Sequence, residues 1–317
     1  MIDTYGREIS YLRLSVTDRC NLRCRYCMPA EGICKKRHEE MLTEDEMLLA
    51  VQAAASLGIR KLRLTGGEPL VKRNILSICR RVAAVEGIDE VCMTTNGILL
   101  PHMAPELRAA GVHRLNISLD TLDGAKYAHM TRLGTLEQAL RGIEAALEAG
   151  FDRVKINAVL IGGFNDDEIP ALAGLTYRYP VDVRFIELMP MTAEEAFGPG
   201  AYVSGEAVLA ALPALVPVPS GDGVARLYRL PEAQGSVGLI SAVSRHFCAA
   251  CNRIRLTADG RLKPCLHSHQ EFPIKGLSLD EMRREMERTI LAKPACHAPL
   301  SATERSGAGR SMNQIGG

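Results

Sequence analysis

The sequence lacks any apolar run long enough to cross a membrane as a helix, and it has almost no net charge. Lys and Arg number 38 against 37 Asp and Glu, a formal charge of +1. That balance argues against a general nucleic-acid binder or a polybasic membrane anchor. The opening residues, Met1 to Glu8, contain no basic segment followed by an apolar one, so the reading places the chain in the cytosol. Low-complexity tracts and a convincing flexible linker are also missing, and close packing of the parts is expected. What is present is a 317-residue chain, 47% hydrophobic and 24% charged, enough for one large or two modest globular domains. It carries ten cysteines. In a reducing compartment these are expected to be metal ligands and core residues rather than disulfides. Six of them fall into two triplets.

The first triplet is Cys20-x3-Cys24-x2-Cys27, directly after an alternating stretch from Tyr11 to Thr17. Three thiolates this close in one loop suit three corners of a cubic iron-sulfur cluster, because soft sulfur ligands favour such assemblies. With no fourth cysteine in the loop one iron stays open, a place to bind and reduce something. The competing readings are a zinc site that borrows a histidine and a chance grouping. His38, the nearest downstream histidine, lies far along the chain for a ligand in the same loop.

From Thr43 onward one theme recurs: an amphipathic helix, a glycine able to end it in a left-handed turn, then a short alternating strand. Gly58, Gly87, Gly111 and Gly150 precede strands predicted at 59–65, 88–94, 112–119 and 151–160, and a sixth strand fits 181–188. Thr43 and Glu46 form a candidate capping box. This rhythm predicts a parallel α/β sheet with right-handed crossovers. Six units are too few for a complete eightfold barrel, and a curved partial barrel is the expected compromise. The strands alternate where a parallel sheet buried on both faces would read as continuously apolar. Leu12 and Leu14 alternate with Arg13 and Ser15, Leu62 and Leu64 with Lys61 and Arg63, Val154 and Ile156 with Arg153 and Lys155. If helices cover the apolar phase, the polar phase lines a concave lumen, and buried cations there call for an anion such as a polyphosphate. A half-exposed sheet with solvated charges is the plainer alternative. Lys61 and Arg184 join the lumen on phase alone. After Pro190 the composition shifts, with a short helix expected near 205–212 and strands at 226–230 and 236–243, giving two domains, 1–190 and 191–317.

Thr65-Gly66-Gly67-Glu68-Pro69 follows the second strand, where two glycines allow close backbone approach to a ligand; alone it could be a simple turn. The second triplet is Cys248-x2-Cys251 with Cys265, joined by a predicted hairpin around Ala258-Asp259-Gly260 that returns Cys265 toward the first pair. On spacing alone, three cysteines with His267 or His246 could equally be a zinc site. Cys79 and Cys92 read as core, and Cys34 and Cys296 have no assigned role. The sequence closes on Gly316-Gly317, for which a frayed tail is the simplest reading.

The three-cysteine loop with an aromatic residue, Tyr26, before its last cysteine resembles that of the radical S-adenosylmethionine (SAM) enzymes. The wider run from Leu12 to Pro29 is similar to the GTP 3',8-cyclase family, the molybdenum cofactor biosynthesis proteins A, and the resemblance extends from about Asp3 to the last residue. It implies a partial (β/α)6 radical SAM barrel, with a smaller C-terminal domain that carries a second cluster. Two [4Fe-4S] clusters are implied, one on Cys20, Cys24 and Cys27 that binds SAM as cosubstrate, the other on Cys248, Cys251 and Cys265 that binds GTP. The matching positions imply SAM contacts at Tyr26, Gly67, Ser118 and Met189, with Glu68 a further candidate. They imply GTP contacts at Arg13, Arg63, Thr94, Lys155, Arg253 and Arg255. The family also ends in Gly-Gly, which implies a catalytic role for Gly316 and Gly317. The implied reaction is radical cyclisation of GTP, in which SAM cleavage provides a radical that takes the 3'-hydrogen and the ribose then closes onto C8 of guanine. It needs an external electron donor and feeds a next pathway enzyme, cyclic pyranopterin monophosphate synthase; the enzyme is expected to be a monomer or homodimer. A radical SAM enzyme acting on a peptide would share the cysteines with less use for a basic lumen, and an electron carrier would leave Gly66-Gly67-Glu68 unexplained.

Overall fold

The computed structural model describes residues 1–33, 36–191, 200–219, 224–300 and 306–316. Cys34 and Gly317, two of the residues singled out above, lie outside them. Six parallel strands follow one another in space as in sequence: β1 (Tyr11–Ser15), β2 (Lys61–Thr65), β3 (Glu90–Thr95), β4 (Arg114–Ser118), β5 (Arg153–Leu160) and β6 (Val181–Glu187). The connecting helices are α1 (Glu44–Ser56), α2 (Ile75–Ala83), α3 (Leu100–Ala109), α4 (Gly124–Thr131), α5 (Leu136–Glu148) and α6 (Ile169–Arg178). Helix α1 starts as its sequence asks: the Thr43 hydroxyl accepts from the Glu46 N–H, and the Glu46 carboxylate accepts from the Thr43 N–H at 2.8 Å. The glycines ahead of β2 to β5 all take left-handed φ, between 69° and 90°, so each helix stops where that conformation costs little.

The alternation resolves as expected. Leu12, Leu14, Leu62, Leu64, Ile117 and Ile156 have no exposed surface and belong to one apolar core with the inward faces of the helices. The polar phase of the same strands faces away from that core, in register: Arg13 lies beside Arg63 on β2 and Arg255 on the far side, and Asn116 beside Lys155. Cys92 belongs to this second phase. It is fully buried, as read from the sequence, but it sits in register with Arg63 and outside the apolar cluster.

The sheet does not close. Residues beyond 200 add α7 (Gly205–Ala211), β7 (Val216–Val218), β8 (Arg226–Arg229), β9 (Val237–Ile240), β10 (Arg253–Leu256), β11 (Arg261–Lys263), β12 (Phe272–Pro273) and α8 (Leu279–Leu291). Their strands extend both edges of the six-stranded sheet, giving the order β12-β11-β10-β1-β2-β3-β4-β5-β6-β9-β8-β7. Both β10 and β9 run parallel to their barrel neighbours, β1 and β6, while β11 returns antiparallel to β10. This topology fixes the site. The Cys20 loop leaves the carboxyl end of β1; Cys248 and Cys251 precede the amino end of β10, and Cys265 follows β11, which has come back to that same end. The two triplets therefore cap opposite ends of one lumen.

Candidate active site

The first triplet is built on the Gly66-Gly67 turn. The Gly67 N–H donates to the Thr17 carbonyl and the Glu68 N–H to that of Arg19, both at 2.8 Å. A Cβ on Gly67 would lie 2.4 Å from the Arg19 oxygen, so only glycine lets the turn press against the cysteine loop. Glycine is needed here by the loop's own backbone. Cys24 and Cys27 close a tight turn, the Cys27 N–H donating to the Cys24 carbonyl at 2.9 Å. Burial pushes the Cys20 thiol up to about 11 and raises those of Cys24 and Cys27 well above their usual range, and the thiols feel one another's charge. Three such thiols cannot all ionise without a metal cation to join them, and soft sulfur donors of this kind fit a cluster.

Two carboxylates organise this end: Glu68, already a candidate from the sequence, and Asp120, which the sequence reading missed. Glu68 is buried, and its two oxygens accept from the Leu70 N–H, the Thr95 hydroxyl and the Asn96 N–H at 2.7 to 3.0 Å. Burial raises its carboxyl to about 7 against those hydrogen bonds. Asn96 then donates to the Asn21 side chain inside the cysteine loop. Asp120, just beyond β4, accepts from the Tyr26 hydroxyl at 2.8 Å and from the Val159 N–H at 2.8 Å, which sets the aromatic ring against the loop. Cys24, Tyr26, Asn96, Ser118 and Asp120 line one small cavity beneath the triplet. The signal for Asp120 was its place one residue after a strand end. Met189 lies on another side, packed against Met191 and Ile315.

Between the ends lies the basic lumen. Near its second-triplet end Lys61 and Arg114 are answered by Glu90, and further round Arg153 by Asp182. Arg13, Arg63, Arg253 and Arg255 lie close to one another. Burial and the neighbouring Arg255 hold the Arg13 guanidinium well below its usual range, and burial and Arg253 bring Arg255 down to about 10. Arg63 donates to the Tyr11 hydroxyl, the Met93 carbonyl and the Thr94 hydroxyl, and Arg253 stacks over Tyr11 and Phe247. Arg63, against its burial, is held above its usual value by Tyr11, whereas Arg13 and Arg255 carry a cost that a polyanion would offset. The buried side-chain oxygens of Asn116 and Asn157 have no hydrogen-bond partner among the described residues, so the lumen offers acceptors as well.

At the far end, Arg7 pins the second triplet. Paired with buried Asp3, it donates to the carbonyls of Cys248, Pro294 and Ala295 at 2.7 to 3.0 Å. Burial would raise the Cys251 thiol, but Lys293 and Arg253 bring it below its usual value, while burial pushes Cys248 up to about 11. Lys293 is itself buried and donates to the carbonyls of Arg253 and Pro264, closing the base of the hairpin. His297 meets His246 edge-on and His267 at a tilt, with ring centroids 4.6 Å apart in each pair. Among the described residues no three His, Cys, Asp or Glu side chains converge on a point that a single ion could fill. Cluster thiolates stand apart by the width of the cluster and are not held to that arrangement.

The tail comes in from the first-triplet end. Ile315 is buried, and the Gly316 carbonyl accepts from Arg255 at 2.7 Å. A Cβ on Gly316 would lie 2.3 Å from the Thr65 hydroxyl and 3.1 Å from Ser15, and its φ is +83°. The position demands glycine twice over, once for conformation and once for space.

Residues 14–176 match the family model of the Radical SAM superfamily, and residues 181–298 that of Molybdenum Cofactor Synthesis C. Proteins described as GTP 3',8-cyclase from Pelotomaculum thermopropionicum and Heliobacterium modesticaldum are 48% and 46% identical to it, each aligned over 100% of both chains. The chain belongs to the GTP 3',8-cyclase family. Solved structures agree on the fold. SuiB of Streptococcus suis bound to S-adenosylmethionine superposes with a TM-score of 0.63 at 14% identity, over 87% of this chain and 64% of that one. HydG of Carboxydothermus hydrogenoformans gives 0.55 at 16% identity, over 97% and 71%. For a GTP 3',8-cyclase family member the partial barrel is thus the expected architecture. No helix among the described residues is long and apolar enough to cross a membrane.

Proposed function

We propose that this protein is a GTP 3',8-cyclase, converting GTP to (8S)-3',8-cyclo-7,8-dihydroguanosine 5'-triphosphate in the first step of molybdenum cofactor biosynthesis. The observation that carries the reading is the group of four arginines, Arg13, Arg63, Arg253 and Arg255, held between two thiol triplets at opposite ends of one lumen. A polyphosphate satisfies those cations, and a base at one end with a radical source at the other is the geometry that ring closure on a nucleotide needs. Bound [4Fe-4S] clusters and SAM supply the electron and the radical that removes the 3'-hydrogen.

The chain's own residues hold and orient. Cys20, Cys24 and Cys27 would hold the first cluster and Cys248, Cys251 and Cys265 the second, the end of the lumen that would take the guanine. Tyr26, Gly67, Ser118 and Met189 surround SAM. Arg13, Arg63, Thr94, Lys155, Arg253 and Arg255 bind GTP, and Gly316 and Gly317 take the catalytic role that the Gly-Gly ending implies. The side-chain oxygens of Asn116 and Asn157 are available to ribose hydroxyls. Helices over the outer face and the seated tail exclude water, which protects a carbon radical from side reactions. The division into a barrel at 1–190 and a substrate-binding portion at 191–317, cytoplasmic location, an external reductant, the synthase that takes the product, and a monomer or homodimer belong to the same reading.

The test is anaerobic. Iron and sulfide are reconstituted, the protein is reduced, and SAM is added with or without GTP. 5'-Deoxyadenosine that rises with GTP, together with a cyclised purine nucleotide, is the expected result. Deoxyadenosine with no such nucleotide overturns the substrate assignment.

A further inference from the structure

The Gly316 carbonyl reaches Arg255 only if the ten residues before it are held, and their sequence does little to hold them: Ser306-Gly307-Ala308-Gly309 has low propensity for any regular element. Several contacts anchor them: the Ser306 hydroxyl meets His267 Nδ1 at 2.8 Å, and Ala308, Met312 and Ile315 pack with Met189, Met191 and Leu266. The Ser306 N–H donates to the Pro190 carbonyl, Lys263 donates to the Ala308 carbonyl at 3.2 Å, and the Asn313 side chain donates to the Asp18 carbonyl at 3.3 Å. Against these stands Arg310, whose guanidinium makes five hydrogen bonds to two carboxylates. Its Nε and one terminal nitrogen grip the Glu271 oxygens at 2.6 and 2.7 Å, and both terminal nitrogens grip Asp259 at 3.0 and 3.1 Å. The Arg310 side chain is only 16% exposed and that of Asp259 9%. Paired, part-buried forks of this kind are the strongest polar contacts a protein makes.

Both carboxylates sit on the hairpin whose strand β10 carries Arg253 and Arg255: Asp259 in the β10–β11 turn and Glu271 just before β12. Asp259 also takes Lys36, from the arm that leaves the first cysteine loop, and Glu271 takes Lys263. One carboxylate thus ties tail, hairpin and first-cluster arm together at the mouth of the lumen. We propose that Arg310 is the positioning residue of the tail: its double fork to Asp259 and Glu271 seats Gly316 against Arg255, Thr65 and Ser15. The inference rests on the cyclase reading for what the seated tail does, and on geometry alone for how it is seated.

Removing the Arg310 side chain leaves Asp259 with Lys36 and Thr257, and Glu271 with Lys263, so the hairpin keeps its own partners and the variant is expected to fold. The experiment is a double-mutant cycle on the reconstituted enzyme: wild type, Arg310→Ala, deletion of Gly316 and Gly317, and both together. Cyclised nucleotide and 5'-deoxyadenosine are each quantified, with iron content and melting temperature as controls. Release of C-terminal residues by a carboxypeptidase is a readout independent of activity. Arg310→Ala is expected to lower cyclisation on the order of tenfold to a hundredfold, to speed carboxypeptidase release, and to add nothing once the last two residues are gone. Arg310→Lys, which keeps charge but not the fork, is expected to fall between. If Arg310→Ala costs the same factor in the truncated background, or leaves tail release unchanged, Arg310 does not act through the tail. Wild type that makes no cyclised nucleotide instead overturns the cyclase reading, and carboxypeptidase release still decides how the tail is held.

Discussion

At the scale of single residues, the two thiol triplets differ in what surrounds them, and their loss should differ accordingly. Cys20 stands in a loop braced by Glu68 and Asn96, close to Ser118 and Tyr26, whereas Cys251 and Cys265 lie beside Arg253 and Arg255. Cys20→Ala is expected to abolish 5'-deoxyadenosine formation while GTP still binds, and Cys265→Ala to abolish productive GTP binding and cyclisation; each should retain about half the iron. Intact cyclisation by Cys265→Ala would remove the second site. Gly67→Ala tests a different point. A Cβ 2.4 Å from the Arg19 carbonyl must displace the cysteine loop, so SAM cleavage should fall on the order of a hundredfold with GTP affinity little changed. The grouping of the six cysteines and the Gly66-Gly67 turn could be read from local spacing, although spacing alone left the second triplet equally a zinc site. Asp120 and Arg310 could not, since their partners Tyr26 and Glu271 lie 94 and 39 positions away in sequence. Cys92 shows the limit of a phase argument made one residue at a time: its apolar neighbours suggested the core, and register with Arg63 puts it on the lumen side.

At the scale of elements, the six barrel strands were readable to within two residues at each end, because glycine stops and alternation mark them in the chain itself. The three-residue β7 and two-residue β12 were not, being too short to show a period and each containing a proline that suits only an edge. What secures these later elements is a charge at the end of β6. Glu187 accepts from the N–H groups of Gly205, Val243 and Ser244 and from the Ser244 hydroxyl, joining the start of α7 to the loop after β9. Burial would raise its carboxyl, but the Ser244 hydrogen bonds and those from Val243 and Gly205 hold it below its usual value. A carboxylate whose folded value is depressed contributes stability above its unfolded value of about 4.3, and that contribution is lost as pH falls through the folded value. Glu187→Gln should therefore unfold more easily at pH 7, by about 3 kcal/mol, and the gap from wild type should narrow below about pH 4. A gap that stays constant across that range would mean the charge is not what holds these loops.

At the scale of the whole molecule, the composition shift after Pro190 coexists with one continuous sheet. Sequence order could not reveal this, because a chain that leaves the barrel after β6 can return to either edge, and this one returns to both. Strand β9 covers β6, and β10 covers β1 with four residue pairs in register from Tyr11 to Leu14. Cutting the chain after Pro190 would expose two parallel edges and uncover α1, which packs on α8. Unpaired edges with apolar faces invite association, and a barrel stripped of both flanks loses its lumen wall at Arg253 and Arg255. The expected outcome is that residues 1–190 expressed alone form no monomer with a cooperative melt, while the full chain unfolds in a single transition. A fragment that stays monomeric and melts as sharply as the parent would mean the barrel is self-sufficient. The later strands would then serve only to carry the second triplet and the arginines.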